Sequence, residues 1–413
     1  MNRFKTREFS VVVIGAGAAG LIAGLVAARS GARVIVFEQL PEAGVRLLAT
    51  GGGHCNFTNT LGAEDLIRRF GDKRRFAAPA LRAMTGTRLR GFFEELGIAS
   101  HSPDGFHVFP ASDSARSIRN ALLQACRKLS VEFRFNSRVE GLQIERGRMV
   151  GIETSLGTES ASRVVLAAGG AGYPSLGGGE SGFALARRAG HTIVPLCPAL
   201  VPLVTREPWS GTLAGVTLPH VLVNMAFPGG TCTAGPGSLL FTHKGISGPV
   251  ALDVSGAVAS ALMTRESVAV TMDLCPERPL EAWQGTVEGW RREHGAKTVL
   301  AMLGCLLPAS LARVVLNLAQ APTDTKVSRL SREQIHRLIA MLTNLPLTVT
   351  GTEGFGKAMV TRGGVALGEV CPRTLESKIV RGLFFAGEIL DVDGPCGGFN
   401  LQWAFSSGFL AAQ

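Results

Sequence analysis

The ten residues VVVIGAGAAG, Val11 to Gly20, constrain this chain more tightly than any other stretch. Four β-branched residues run straight into glycines at 15, 17 and 20, which reads as strand, turn and helix start in that order. Gly15 permits the tight turn, Gly17 lets backbone approach a pyrophosphate, and Gly20 lets helix and strand pack closely. The N-terminus of the helix that follows offers unpaired N–H groups and a positive dipole end to phosphate. A second strand, Arg33 to Phe37, ends in Glu38, eighteen residues past Gly20. That is close to where an acidic ribose ligand belongs. An acid there also repels a 2′-phosphate, so the expected dinucleotide is FAD or NAD and not NADP.

The same region imitates a membrane span, since Ser10 to Ala28 carries no charge. The β-branched run stopping at glycines argues for strand, turn and buried helix instead, and no secretory leader is legible. The eight cysteines are scattered, with no C-x-x-C pair, so neither a disulfide framework, a redox dithiol nor a metal site is expected. Reduced thiols and the lack of a leader point to a cytoplasmic protein without a membrane association. Apolar residues at 46% and charged ones at 18% place it among compact globular chains, and 413 residues suffice for two or three domains.

Two further strands end in small residues: Arg163 to Leu166 before AAGG, and GLFFAGE at Gly382 to Glu388. After the latter come Asp391, Asp393 and the helix start GGFNLQWAFSSG, Gly397 to Gly408. One simple nucleotide unit has no use for strand ends spread so widely. An extended FAD does, because the chain must return late to set glycine backbone and a helix N-terminus beside the flavin ring.

These segments, with GGGHCNFTN (Gly51 to Asn59), FTHKGISGP (Phe241 to Pro249) and GTEGFGKAMVTRGGV (Gly351 to Val365), resemble the bacterial BaiN/RdsA-like (YhiN) family of FAD-binding flavoproteins, relatives of aminoacetone-oxidase-like enzymes. The resemblance implies an α/β fold: a discontinuous glutathione-reductase-type Rossmann FAD-binding domain with an inserted β-barrel-like domain and a small helical domain. The expected bounds are 1–195 and 345–413 for the FAD domain, 196–275 for the β-rich insert and 276–344 for the helical one. Short β-like runs at Leu200 to Val204, His220 to Ala226 and Ser267 to Asp273 agree with the first insert. Apolar residues at three- and four-residue spacing from about Pro276 to Thr343 agree with the second.

The resemblance also implies where FAD is held. Beside Gly15, Gly17 and Gly20 it points to Ala18, Ala19, Glu38 and Gln39 at the adenosine end, and to Val139, Ala168, Gly169 and Gly170 at neighbouring strand ends. Thr50, Gly51, Gly52, His54, Cys55 and Asn56 form a mid-cofactor loop, with Arg46 assisting the diphosphate or flavin or lying on the surface. Gly387, Glu388, Asp393, Gly398, Phe399, Asn400 and Leu401 are expected along the ribityl chain and pyrimidine edge. The family's usual arginine is replaced by His54, which puts in doubt any role needing a permanent charge.

Reducing an activated C=C bond needs a hydride on one carbon and a proton on the other, and the Cys55 thiol is the catalytic candidate for the proton. The rival reading is that Cys55 packs as a small hydrophobe. His107, Tyr173, His243 and Lys244 are expected substrate-side residues, each with ordinary packing or a turn as the alternative. The implied activity is FAD-dependent reduction of uridine in ribosomal RNA to dihydrouridine, with NADH or NADPH as transient reductant. An amine oxidase, an enone saturase and a non-enzymatic redox sensor are the alternatives. A net charge of +10, with Arg68, Arg69, Lys73, Arg74, Arg75, Arg82, Arg88 and Arg90 close in sequence, reads either as an RNA-facing surface or as a solvated one.

Overall fold

The computed structural model describes residues 10–227 and 230–413, and the chain divides into two compact units. The first comprises 1–197 and 359–413. Its centre is a five-stranded sheet in the order Leu383–Phe385, Arg163–Leu166, Ser10–Ile14, Arg33–Phe37, Glu132–Arg134, with every pairing parallel. Parallel strands must be covered on both faces, which is why these read as continuous apolar runs. The helix Ala18–Arg29, following the first strand, is buried from Ala19 to Ala27. The charge-free stretch is therefore strand plus core helix, and no helix among the described residues is long and apolar enough to cross a membrane.

The C-terminal helix Phe399–Ala411 is likewise apolar on nearly every side. It packs on the helix Ala18–Arg29 through Gly408, where an added Cβ would stand 2.3 Å from the Ala19 carbonyl oxygen. That close approach brings the last helix of the chain against the first.

The second unit, 198–358, is built on a closed six-stranded barrel. Its strands run Leu203–Thr205, Gly245–Ser247, Gly230–Thr242, Thr217–Phe227, Val268–Asp273 and Leu345–Thr352 around the ring. The helices Leu280–His294, Val299–Leu303, Ala309–Leu318 and Arg332–Thr343 share one apolar cluster with barrel residues such as Val223, Val270 and Leu347. This differs from the expected division at 276 and 345. The strand Leu345–Thr352 pairs with Val268–Asp273 and Leu203–Thr205, so it closes the barrel after the helical stretch and does not open the return to the first unit. Barrel and helices bury their apolar faces on each other and make one body.

Candidate functional site

The glycine turn divides its work between packing and open space. Gly15 has φ +99° and donates its N–H to the Phe37 carbonyl at 2.8 Å. A Cβ on Gly15 would lie 2.5 Å from the Ala167 oxygen, and one on Gly20 only 1.9 Å from the Gly15 oxygen. Gly17 is different: a Cβ there meets nothing within 4 Å. Gly17 caps the helix that begins Ala18, Ala19, without a side-chain cap and without an acid in the first turn. An open approach to unpaired N–H groups is what a diphosphate requires.

Glu38 closes the other side. Its Oε2 accepts from the Ala16 N–H at 2.7 Å and its Oε1 from the Leu40 N–H at 3.0 Å. A carboxylate has about four lone-pair sites, so two remain for ribose hydroxyls. The Asn136 and Ser137 N–H groups donate to the carbonyls of Leu40 and Glu38, setting buried Val139 beside this end. Gln39 donates to the Gly177 carbonyl at 3.1 Å. Together these residues suit the adenosine half of FAD.

The segment Thr50–Gly53 is a kinked turn that passes through the left-handed region, with φ of +55° at Gly51, +65° at Gly52 and +96° at Gly53. Glycine is needed there because the left-handed region costs other residues free energy. Cys55 adopts φ +62° nonetheless and is fully buried. Burial pushes its thiol up to about 12, against a hydrogen bond with Thr50. The thiol is closed off within the apolar core, an environment that matches the packing alternative for Cys55 and gives a substrate no direct access to it. His54 is exposed. Asn56, with its amide oriented to satisfy both atoms, donates to the Thr58 carbonyl at 2.7 Å and accepts from the Gly398 N–H at 3.2 Å.

That last bond joins the loop to the second uncapped helix start. Gly398, at φ +83°, precedes Phe399, Asn400 and Leu401, with no side-chain cap and no acid in the first turn. Gly387 is fixed by the Ser407 hydroxyl accepting its N–H and by the Trp403 indole donating to its carbonyl. Glu388 pairs with Arg46 at 2.9 Å and accepts from the Thr361 N–H at 2.7 Å. Arg46 also reaches the Gly170 carbonyl at 3.5 Å, beyond Ala168 and Gly169. Thus Arg46 is no idle surface residue. It ties together the loops that follow the strands Arg163–Leu166 and Leu383–Phe385.

Two expected cofactor residues are engaged elsewhere. The Asn400 side chain holds its own loop, accepting from Gly394 N–H and donating to the Gly394 carbonyl, each at 2.8 Å. Asp393, 7% exposed, binds Lys73 at 3.2 Å and Arg362 at 2.8 Å, while Lys73 also contacts Asp391. Burial demands such pairing, because a lone charge there would be strongly penalised. Asp393→Asn is expected to cost about 3 kcal/mol, read as a lower midpoint in chemical denaturation with retained flavin stoichiometry at low temperature.

The remaining expectations separate by location. His107 is partly exposed and its Nδ1 is bonded to Asp104, whereas Tyr173, at φ +50°, starts a 3₁₀ turn in the loop after Gly170. His243 and Lys244 sit on the barrel turn between Gly230–Thr242 and Gly245–Ser247, where Lys244 lies 3.7 Å from Glu353. Part of the basic cluster is neutralised locally: Arg82 by Glu64, Arg68 by Asp65 and Lys73 by the aspartates. Arg69 and Arg75 are exposed, with no ion pair among the described residues.

A chain of buried Ser377 and His191 with partly exposed Glu369, at 2.8 and 3.1 Å, resembles a hydrolytic triad in order only. The His191 side chain has no exposure, so it is a structural staple. Burial lowers its pKa below the ordinary 6.5, despite Glu369. The folded chain thus resists a proton that the unfolded chain accepts. Stability is expected to be full above pH 6.5 and to fall below it, and His191→Gln should flatten that part of a Tm–pH curve.

Over residues 9–413 the chain matches the family described as HI0933-like protein Rossmann domain. It is 35% identical over 403 residues to the 3-dehydro-bile acid delta(4,6)-reductase of Clostridium scindens, covering 97% of each chain. It is 32% identical over 409 residues to the ribosomal RNA dihydrouridine synthase of Escherichia coli, covering 98% of each. Among solved structures, 3-ketosteroid delta1-dehydrogenase from Sterolibacterium denitrificans superposes with a TM-score of 0.53 at 12% identity, over 97% of this chain and 98% of that one. The E. coli quinol fumarate reductase subunit gives 0.52 at 19% identity, over 98% and 69%. A family match over nearly the whole chain, with two relatives above 30% identity at near-full coverage, makes the chain a member of the HI0933-like Rossmann family of FAD-dependent oxidoreductases.

Proposed function

We propose that this protein reduces a carbon–carbon double bond conjugated to a carbonyl, with uridine in ribosomal RNA as the favoured substrate. The observation that carries the reading is the pair of uncapped, acid-free helix starts at Gly17 and Gly398, joined through Ala19 against Gly387 and Gly408. A single nucleotide site needs one such start; an extended flavin cofactor uses both. Bound there, FAD supplies hydride to one carbon of the double bond.

The chain's own residues do the rest. Glu38 accepts from ribose hydroxyls with its free lone pairs, and the amides of Ala18 and Ala19 face the diphosphate. Arg46, held between Gly170 and Glu388, adds positive charge. The helix N-terminus at Phe399 to Leu401 would hold the flavin end of the cofactor and offer its positive dipole end to negative charge there. Exposed Arg69 and Arg75 offer phosphate contacts to a polyanion, which favours RNA. Support also comes from two near-full-length relatives whose names both denote saturation of such a bond. The 35% identity to the bile-acid reductase favours a small conjugated ketone as the second reading.

The test begins with anaerobic titration of the purified flavoprotein by NADH and NADPH. Bleaching by either identifies the reductant. Dihydrouridine is then mapped in ribosomal RNA from a strain lacking the gene. A lost site supports the RNA reading. An unchanged map, with a steroid dienone reoxidising the reduced flavin, moves the assignment to the small ketone. If neither substrate reoxidises it, double-bond reduction is wrong and amine oxidation or redox sensing takes its place.

A further inference from the structure

Hydride addition to one carbon of a conjugated double bond leaves an enolate, which must gain a proton at the neighbouring carbon. Cys55 is sealed and cannot supply it. Resting on the double-bond reading above, we propose that His107, positioned by Asp104, is the group that delivers this proton.

Three observations carry the assignment. First, the His107 side chain is 39% exposed, so its ring can exchange protons with solvent and meet a substrate. Second, Nδ1 is bonded to the Asp104 carboxylate, which also accepts from the N–H groups of Phe106 at 3.0 Å and His107 at 2.8 Å. The His107 bond, with those two amides, holds the Asp104 carboxyl well below the usual carboxylate range. Fixing Nδ1 leaves Nε2 as the nitrogen that presents or loses a proton.

Third, the residue is anchored to the C-terminal helix start. His107 pairs with Asn59 across an antiparallel register, and the Asn59 amide donates to the Gly397 carbonyl at 2.9 Å. The Phe106 ring stands edge-on to His107 at 4.9 Å and lies 6.5 Å from Phe399. A Cβ on Gly397 would come within 3.0 Å of that same Phe106 ring. The imidazole is therefore tied by strand and by aromatic packing to the segment that faces the flavin's pyrimidine edge in the proposed function.

The β-carbon gains hydride from reduced FAD, which is oxidised, and the π electrons move into the carbonyl as an enolate. The α-carbon then takes the proton from His107 Nε2–H, so the substrate gains two hydrogens in all. The neutral ring regains its proton from solvent. The other titratable pair near this ring is His101 with Asp113, on the adjoining strand and turn, sharing Phe109 with His107.

The experiment uses the full chain loaded with FAD, reduced by dithionite and mixed anaerobically with 2-cyclohexen-1-one or with an unmodified large-subunit rRNA transcript. His107→Gln should keep wild-type flavin absorbance and thermal midpoint, yet reoxidise about 100-fold more slowly. Its rate is expected to lose the pH limb that a proton-donating imidazole would impose on the wild type. Asp104→Asn should move that pH limb and slow the rate less, as befits a positioning residue, while His101→Gln should change neither. Reoxidation of His107→Gln within about threefold of wild type, or an unaltered pH limb, overturns the proposal. If wild type is reoxidised by neither probe, the double-bond reading itself fails and the assignment of His107 falls with it.

Discussion

A chain carrying Gly17→Ala is expected to unfold at the wild-type midpoint and to bind FAD at least about tenfold more weakly, a difference of roughly 1.4 kcal/mol. The reasoning is steric. The methyl meets no protein atom within 4 Å, and the backbone at φ −76° suits any L-residue, so the fold has no cause to object. The space it fills is the approach to the amides of the first helical turn. Gly20→Ala supplies the contrast, because its methyl would stand 1.9 Å from the Gly15 oxygen. Strand and helix must then part, at a cost of about 1–3 kcal/mol or more. Calorimetry of the protein freed of flavin, followed by FAD titration, separates the two. Equal FAD affinity in Gly17→Ala and wild type would remove the diphosphate from this turn.

Glu38→Gln is expected to lose both FAD and stability. Each carboxylate oxygen takes one backbone N–H, from Ala16 and from Leu40. An amide has a single acceptor oxygen, so one of those donors is left facing an NH2 group. The loss of a charge-assisted hydrogen bond costs about 1.5–3 kcal/mol. The ribose loses its acceptor in the same substitution, so flavin should be nearly absent from the purified protein. Saturating FAD should recover only part of the lost thermal midpoint, since the Ala16 and Leu40 bonds belong to the fold. Full recovery by FAD would mean that Glu38 acts on the cofactor alone.

The first of these sites was legible in the chain because its signal is local. Strand, glycine turn, helix and acid lie within Val11 to Glu38, although Gly15 also answers to Ala167 on the neighbouring strand end. The barrel was legible only in fragments. The thirteen-residue strand Gly230–Thr242 contains glycines and Pro236, which argue against a strand until its partner Thr217–Phe227 supplies the ladder. The helix Pro249–Leu262, apolar on most sides, offers no amphipathic period to read.

The candidate site divides in the same way. The glycines, Glu38 and the C-terminal helix start could be read from type and spacing. Arg46 facing Glu388, 342 positions away in sequence, could not. Asp104 carried no signal at all until a tight turn folded it back on His107. One member of the basic cluster could not be read for an electrostatic reason: Lys73 looks like surface charge, but it pairs with Asp391 and Asp393 more than three hundred residues downstream.

By itself, then, the sequence determined the strand, glycine turn and helix of the Rossmann unit and the flavin family, because backbone requirements such as a tight glycine turn or an uncapped helix start are written in neighbouring residues. Only the tertiary structure decided what surrounds Cys55, Asp393 and His107. Burial, pairing and exposure of a side chain are set by residues distant in the chain, and these control whether a thiol is sealed, a carboxylate spent or an imidazole free to move a proton.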